Sequence, residues 1–180
     1  MELFKGRPSD VSGRSEKEIR VYDYLDKLGI DYKRLDHAPA FGSEADLCRE
    51  IEETLGARIC KNLFLANRQR TKFYMLMIPD HKVFRSSDIS KQAGSKRLHF
   101  AESEYMEELI DCSSGSASVM GLMNDADHRV QLLVDEDVIN AEYVGCHPCI
   151  NTSSLRIKSE DIFEKFVKAT GHDFITVHAE

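Results

Sequence analysis

The 180-residue chain has no tryptophan and only four prolines. Its longest uninterrupted apolar run, Phe73 to Ile78, falls far short of the roughly 20 residues that a membrane-crossing helix needs, so no membrane association is expected. Met1-Glu2-Leu3-Phe4-Lys5-Gly6-Arg7 offers no apolar stretch for a secretory signal, which predicts a cytoplasmic protein. The five cysteines are an odd number; without an export signal they read as reduced thiols rather than as a disulfide framework. Internal repeats and low-complexity tracts are also missing. What is present is 42% hydrophobic residues in a single domain's length, enough apolar content to bury a core and too much for a disordered chain.

The formal net charge of −7 conceals an asymmetry. Between Lys61 and Phe100 nine basic residues face only Asp80 and Asp88, a local net of +7 that leaves −14 for the rest of the chain. A sequence pI near 5.5 argues against a general duplex-DNA binder. A basic third on an acidic body can still form a phosphate-facing patch, the alternative being a solvated face of no particular function.

Hydrophobic periodicity divides the chain into alternating elements. Ser15 with Glu18 reads as a capping box opening a helix that carries Ile19, Tyr22, Leu25 and Leu28 to a stop at Gly29. A strand follows over Asp31 to Leu35. A second helix starts near Ser43 and runs through Leu47, Ile51 and Leu55 to Gly56. Arg58 to Ala66 and Lys72 to Pro79, joined by the polar Asn67-Arg68-Gln69-Arg70-Thr71, read as a hairpin of buried strands. Helices are predicted over Ser87 to Ala93 and Ser103 to Ile110, then a loop of small polar residues at Ser113 to Ser118. Strands are predicted at Arg129 to Val134 and Cys149 to Ile157, a helix at Ser159 to Ala169 and a strand at Phe174 to Val177. Several strands are consecutive, so the expected class is α+β: residues 15–180 form one domain with a mixed sheet surrounded by helices, and residues 1–14 form a flexible lead-in.

Three segments carry candidate chemistry. In Ile59-Cys60-Lys61-Asn62-Leu63-Phe64-Leu65, strand alternation puts Lys61 on an apolar face. It is either an edge-strand lysine that snorkels to water or a cation at the floor of a cleft, ready for a phosphate or carboxylate. Asn62 should face the other way, so both can serve one site only where the strand bulges or ends. The Gly115 to Asp125 segment lacks the glycine spacing and lysine of a P-loop, yet its two glycines suit close backbone approach to a ligand. Cys146-His147-Pro148-Cys149 invites a thioredoxin-like redox reading. The β-branched, alternating segment that follows puts a strand where that site needs a helix. No second cysteine pair at ligand spacing supports zinc, and no metal site is expected. His147 is either a turn histidine fixed by Pro148 or a functional one.

Taken together, these segments resemble the prolyl-tRNA synthetase-associated family of aminoacyl-tRNA deacylases, the YbaK/ProX (PrdX) family. Lys61-Asn62-Leu63-Phe64-Leu65 is similar to its Lys-Asn-Leu-Phe-Leu strand, Gly115 to Asp125 to its Gly-Ser loop, and His147-Pro148 with Asn151-Thr152 to its His-Pro-x-x-Asn-Thr turn. Fainter echoes are Asp36-His37-Ala38-Pro39-Ala40-Phe41 and Ala169-Thr170-Gly171-His172.

The resemblance implies trans-editing hydrolysis of the ester of a mischarged aminoacyl-tRNA, with Ala on tRNA for proline the expected substrate. Alanine is smaller than proline, and a synthetase pocket cannot exclude it by size; a second, smaller pocket can sieve it. Lys61 would anchor the terminal adenosine, and Asn62 and His147 would complete a catalytic set acting on a positioned water. Gly121 would meet the α-amino group through its backbone, and Gly115, Ser118, Met120, Leu122 and Asn151 would line the substrate pocket. Arg68, Arg70, Lys72, Lys82 and Arg85 would meet tRNA phosphates near Lys61. No cofactor is implied. The expected partners are mischarged tRNA and prolyl-tRNA synthetase, with the chain a monomer or weak homodimer. Ser118-Val119-Met120 stands where many members have Thr-Pro-Phe, so a Cys-specific relative is one alternative. A non-catalytic module that binds tRNA or the synthetase is the other.

Overall fold

The computed structural model describes residues 1–39 and 45–180. Ser43, the expected start of the second helix, lies outside the described residues, as do Ala40 and Phe41 of the His37 segment. Two sheets build the domain, in line with the α+β expectation. An antiparallel sheet has the order β1 (Leu3–Lys5), β2 (Tyr32–Asp36), β8 (Ser153–Lys158), β7 (Tyr143–Cys146). A mixed sheet has the order β5 (His99–Phe100), β3 (Cys60–Ala66), β4 (Phe73–Pro79), β6 (Val130–Asp135), β9 (Phe174–Val177). In the mixed sheet β3 is antiparallel to both β4 and β5, while β4, β6 and β9 run parallel.

The alternation of β4 creates the cores. All seven of its residues are buried. Phe73, Met75 and Met77 enter the main core, and Tyr74, Leu76 and Ile78 enter a second cluster on the opposite face, as a strand covered on both sides requires. α1 (Glu16–Lys27) buries Glu18, Val21, Tyr22 and Leu25, one stripe at helical spacing. It ends where Gly29 turns left-handed (φ 64°) and the Ile30 amide donates back to the Leu25 carbonyl at 3.0 Å. α2 (Ala45–Leu55) packs Ile51 and Leu55 into a third, smaller cluster with Leu35. α3 (Ser86–Gln92) and α4 (Ser103–Ile110) follow the β3–β4 hairpin. The chain then passes through a tight 3-10 turn at Val119–Asn124 and a short α5 (Glu136–Ile139). Asp161–Phe166 is wound as a π-helix that runs into α6 (Val167–Ala169).

Several expectations are corrected. The capping box does not form: Ser15 caps α1 without a side-chain bond. Buried Glu18 instead accepts from the Tyr22 hydroxyl and the Arg14 guanidinium, both at 2.5 Å. Arg14 also grips Asp36 through two bonds of 3.0 and 2.6 Å. The first 14 residues, read as a flexible lead-in, are therefore held by this network and by β1, which pairs with β2 in register Leu3 to Leu35. The strand expected from Cys149 begins only at Ser153, because Cys149 adopts a left-handed backbone (φ 61°) and extends the turn after His147. β7, which supplies the edge before that turn, lies outside the strands expected from the sequence. Among the described residues no helix is long and apolar enough to cross a membrane.

Candidate active site

Lys61 and Asn62 open β3, and the geometry of that strand decides what they can do. Cys60, Phe64 and Ala66 face the main core, while Leu63 and Leu65 face the second cluster. Lys61 thus shares the apolar face, as alternation requires. Among the described residues β5 pairs only with Leu65 and Ala66, and no strand covers this end of β3 on that side. Just before the strand, Ile59 forms a parallel bridge with Gly145 of β7, and the Gly145 amide donates to the Arg58 carbonyl at 2.9 Å. Here the two sheets meet. The strand begins at the seam, and both neighbouring side chains border one cavity of about 680 Å³.

From the mixed sheet come Lys61 and Asn62; from the turn after β7 comes His147; from the small-residue loop come Gly115 and Ala117. α2 adds Arg49, Ile51 and Glu52 to the lining. Lys61 Nζ donates to the Lys82 carbonyl at 3.3 Å, and among the described residues no carboxylate lies within ion-pair distance of it, so its charge is uncompensated by the protein. The Asn62 amide nitrogen donates to the Cys60 carbonyl at 3.1 Å, which fixes the amide orientation. Among the described residues its Oδ1 is buried without a partner. A buried carbonyl oxygen left unsatisfied at a cavity wall is a place for a ligand donor.

His147 is held from behind. Its Nδ1 lies 2.9 Å from the Ser153 carbonyl, which can only accept, so Nδ1 carries the proton and Nε2 keeps its lone pair. Burial lowers its pKa below the ordinary histidine value; the Ser153 carbonyl opposes this, and nearby His37 adds to the lowering. The ring is neutral at pH 7. The turn is braced from the loop as well: the Ser118 hydroxyl donates to the His147 carbonyl at 2.5 Å while accepting from the Met120 amide at 3.2 Å.

Thus Lys61, Asn62, His147 and Gly115 converge on one cavity, whereas Ser118, Met120, Gly121, Leu122 and Asn151 do not line it. Met120 and Leu122 belong to the main core. Gly121 packs on the end of α4, where a Cβ would stand 2.6 Å from the Ile110 carbonyl oxygen. Asn151 sits in the turn leading into β8. Cys146 and Cys149 are buried, and burial raises both thiols, with a Cys112 hydrogen bond the leading cause at Cys149. A redox nucleophile requires the reverse. Glu52 and Asp80, also on the cavity, were missed in the sequence; only the fold brings α2 and the end of β4 beside Lys61.

The basic residues divide. Lys82 bridges Asp135 at 2.9 Å and Asp137 at 2.8 Å, Arg85 pairs with Glu180, and Arg70 pairs with Glu102. Arg68 and Lys72 are exposed without an acidic partner among the described residues. Arg68, Gln69 and Arg70 join Lys96, Arg97 and His99 around a second cavity of about 640 Å³ at the hairpin turn. That turn is at the opposite end of β3 from Lys61, about 17 Å away at 3.4 Å per residue, so these cations are not adjacent to the lysine.

A lysine, a carbonyl acceptor and an imidazole thus border one cavity at the seam of the two sheets. The model of the aminoacyl-tRNA editing domain family matches residues 42–165, and the chain belongs to that family; it is an aminoacyl-tRNA deacylase. The chain is 28% identical over 150 residues to "Prolyl-tRNA editing protein ProX" of Acetoanaerobium sticklandii, covering 83% of this chain and 90% of the relative. It is 30% identical over 168 residues to "Prolyl-tRNA synthetase associated domain-containing protein 1" of Mus musculus, covering 91% and 97%. A solved structure provisionally named a trans-editing enzyme for prolyl tRNA synthetase superposes with a TM-score of 0.69 at 17% identity, covering 92% of this chain and 98% of the other. At that identity the likeness speaks for the fold.

Proposed function

We propose that the chain hydrolyses the ester of mischarged tRNA for proline, alanine being the amino acid removed, and that a positioned water is the nucleophile. The observation that carries this reading is the convergence of Lys61, Asn62 and His147 on one cavity, with Asn62 Oδ1 unpartnered among the described residues and His147 Nδ1 engaged by the Ser153 carbonyl. Lys61 would hold the phosphate of the terminal adenosine. Asn62 Oδ1 would accept from the water or from the vicinal ribose hydroxyl, and His147 Nε2 would take the proton of the water as it attacks the ester carbonyl. The ester bond to the ribose oxygen then breaks, and the same proton returns to that oxygen. Gly115 and Ala117 present little side chain on the amino-acid side, in keeping with a small sieve. Discrimination by size alone is worth only about 1 to 3 kcal/mol per methylene, which is why a second pocket is needed after the synthetase.

Recognition of the tRNA body would fall to Arg68, Lys72, Lys96 and Arg97 at the far end of β3, where phosphates several nucleotides from the 3′ end would arrive while the ester lies at Lys61. Lys82, Arg85 and Arg70 are occupied by carboxylates and contribute less. The names of the relatives support prolyl-tRNA synthetase as the neighbour in this task. The test is loss of amino-acid label from Ala-, Cys-, Ser- and Pro-charged tRNA for proline, with wild type beside Lys61→Ala. Clearance of Ala alone, abolished in the variant, is expected. Clearance of Cys instead would overturn the substrate assignment, and intact esters throughout would leave a tRNA-binding module.

A further inference from the structure

We propose that His37, through the Ser154 hydroxyl, is a positioning residue that keeps the proton of His147 on Nδ1 and so leaves Nε2 bare toward the cavity. The inference rests on the assignment of His147 to the ester.

The three side chains come from adjacent strand ends. His37 directly follows β2, Ser154 lies at the start of β8, and His147 directly follows β7; Leu35 is in register with Ser154, and Cys146 with Leu155. Residues 110 positions apart thereby bring their rings to 6.1 Å between centroids. The Ser154 Oγ stands between them, 2.9 Å from His37 Nε2 and 3.4 Å from His147 Nδ1.

The proton order along this chain is fixed from its outer end. His37 Nδ1 is 2.8 Å from the Ala38 carbonyl; a carbonyl only accepts, so Nδ1 is protonated and Nε2 is the acceptor. Ser154 therefore donates its one proton to His37, and toward His147 it can only accept. His147 Nδ1–H then has two acceptors, the Ser153 carbonyl and Ser154 Oγ. Without His37 the Ser154 proton is free to turn onto His147 Nδ1, in competition with the Ser153 carbonyl. A ring that accepts at Nδ1 carries its proton on Nε2, and such a ring cannot accept one from water. On this logic His37 acts by occupying a competing donor.

That logic predicts sign-dependent coupling, which a merely structural histidine would not produce. His37→Leu should lower kcat for label release about tenfold, part of the 10² to 10⁴ range of general-base catalysis, with little change in KM. Ser154→Ala removes the competing hydroxyl and should cost less. The double variant should be no slower than Ser154→Ala, and His37→Gln, which keeps an acceptor for Ser154, should recover much of the loss. Long-range 1H–15N correlation spectra of the full-length labelled protein give the second reading: His147 should be Nδ1-protonated in wild type and in Ser154→Ala, and shifted toward the Nε2–H form in His37→Leu. Additive rate losses, or a His147 tautomer unmoved by His37→Leu, would overturn the proposal. The spectra need no substrate, so a failure of the ester reading would show separately as absent turnover with the tautomer shift intact. If His37→Leu does not fold, His37→Gln and Ser154→Ala still decide: Nε2–H tautomer in either would overturn it.

Discussion

Gly121 separates a packing role from a substrate role by a single methyl group. A Cβ built there stands 2.6 Å from the Ile110 carbonyl oxygen, 2.9 Å from Ile110 Cβ and 3.1 Å from Cys112 Sγ. The first of these is backbone at the last residue of α4, and Ile110 and Cys112 are both fully buried, so the neighbours have little room to yield. Overpacking of this kind costs about 1 to 3 kcal/mol, and the closeness of three contacts puts Gly121→Ala at the upper end. For a chain of this size that corresponds to a fall in Tm of roughly 6 to 12 °C. Thermal and urea unfolding should show the loss, while kcat and KM per folded molecule, measured at low temperature on charged tRNA, should stay near wild type because Gly121 does not border the cavity. A wild-type Tm combined with abolished ester cleavage would refute this reasoning and return Gly121 to the substrate.

Other outcomes follow from the charges and thiols. Burial lowers the pKa of both His147 and His37 below the usual 6.5; the neutral base form therefore predominates at neutral pH, so kcat/KM should hold nearly steady from pH 8 to about 7 and fall in more acid solution, and a fall beginning above pH 7.5 would contradict it. The same sign applies to folding: the contribution of these rings is full above about pH 6.5 and is lost as pH falls through the depressed folded values. Cys60 is pushed up to about 12 by burial, and Cys112, Cys146 and Cys149 are buried too, so an aromatic disulfide reagent at pH 8 should label at most the half-buried Cys48 in native protein and all five thiols in denaturant; rapid native labelling of Cys146 or Cys149 would revive a redox reading. Lys82→Ala strips the counter-charge from fully buried Asp135 and should cost about 3 kcal/mol of stability while leaving the salt dependence of tRNA binding unchanged. Arg68→Ala should do the opposite, with unaltered stability and a slope of log K against log salt that is shallower by about 0.9; equal slopes for the two variants would refute the division of the basic residues.

The sequence revealed elements wherever local pattern and tertiary environment agree. Ser103 to Ile110 and Phe174 to Val177 have the boundaries read from their spacing, and the β3–β4 hairpin is announced by two apolar runs around a polar turn. Failure came where a residue's partner is distant. Glu18 sits at capping-box spacing from Ser15, but Arg14 and Tyr22 claim it through a part-buried and a buried bond. Lys82 looks like a free cation until Asp135, 53 positions later, claims it. At the cavity, the structure brings together only part of the set that the motifs suggest. Lys61, Asn62, Gly115 and His147 meet at the cavity. Beyond Gly115 and Ala117, residues of the glycine loop act as braces: Ser118 donates to the His147 carbonyl, and Asp125 accepts the Arg129 and Val130 amides and pairs with buried His172. A residue type that a motif requires cannot tell a wall of the pocket from the brace behind it, because both are equally intolerant of change.

The contact between Ile59 and Gly145 has a consequence for how selectivity could change. Half of the site rides on each sheet, with Lys61 and Asn62 on one and His147 on the other, and the backbones touch at a glycine whose Cβ would lie 2.8 Å from the Arg58 carbonyl oxygen. The spacing of the two halves of the cavity is thus set by this backbone contact as well as by the side chains that face it. A larger residue at position 145 would press on the Arg58 backbone, and on the proposed function the expected outcome is a wider cavity that accepts a bulkier acyl group with every lining residue unchanged. Two relatives with identical walls could in this way clear different amino acids, and comparing their walls alone would not reveal why.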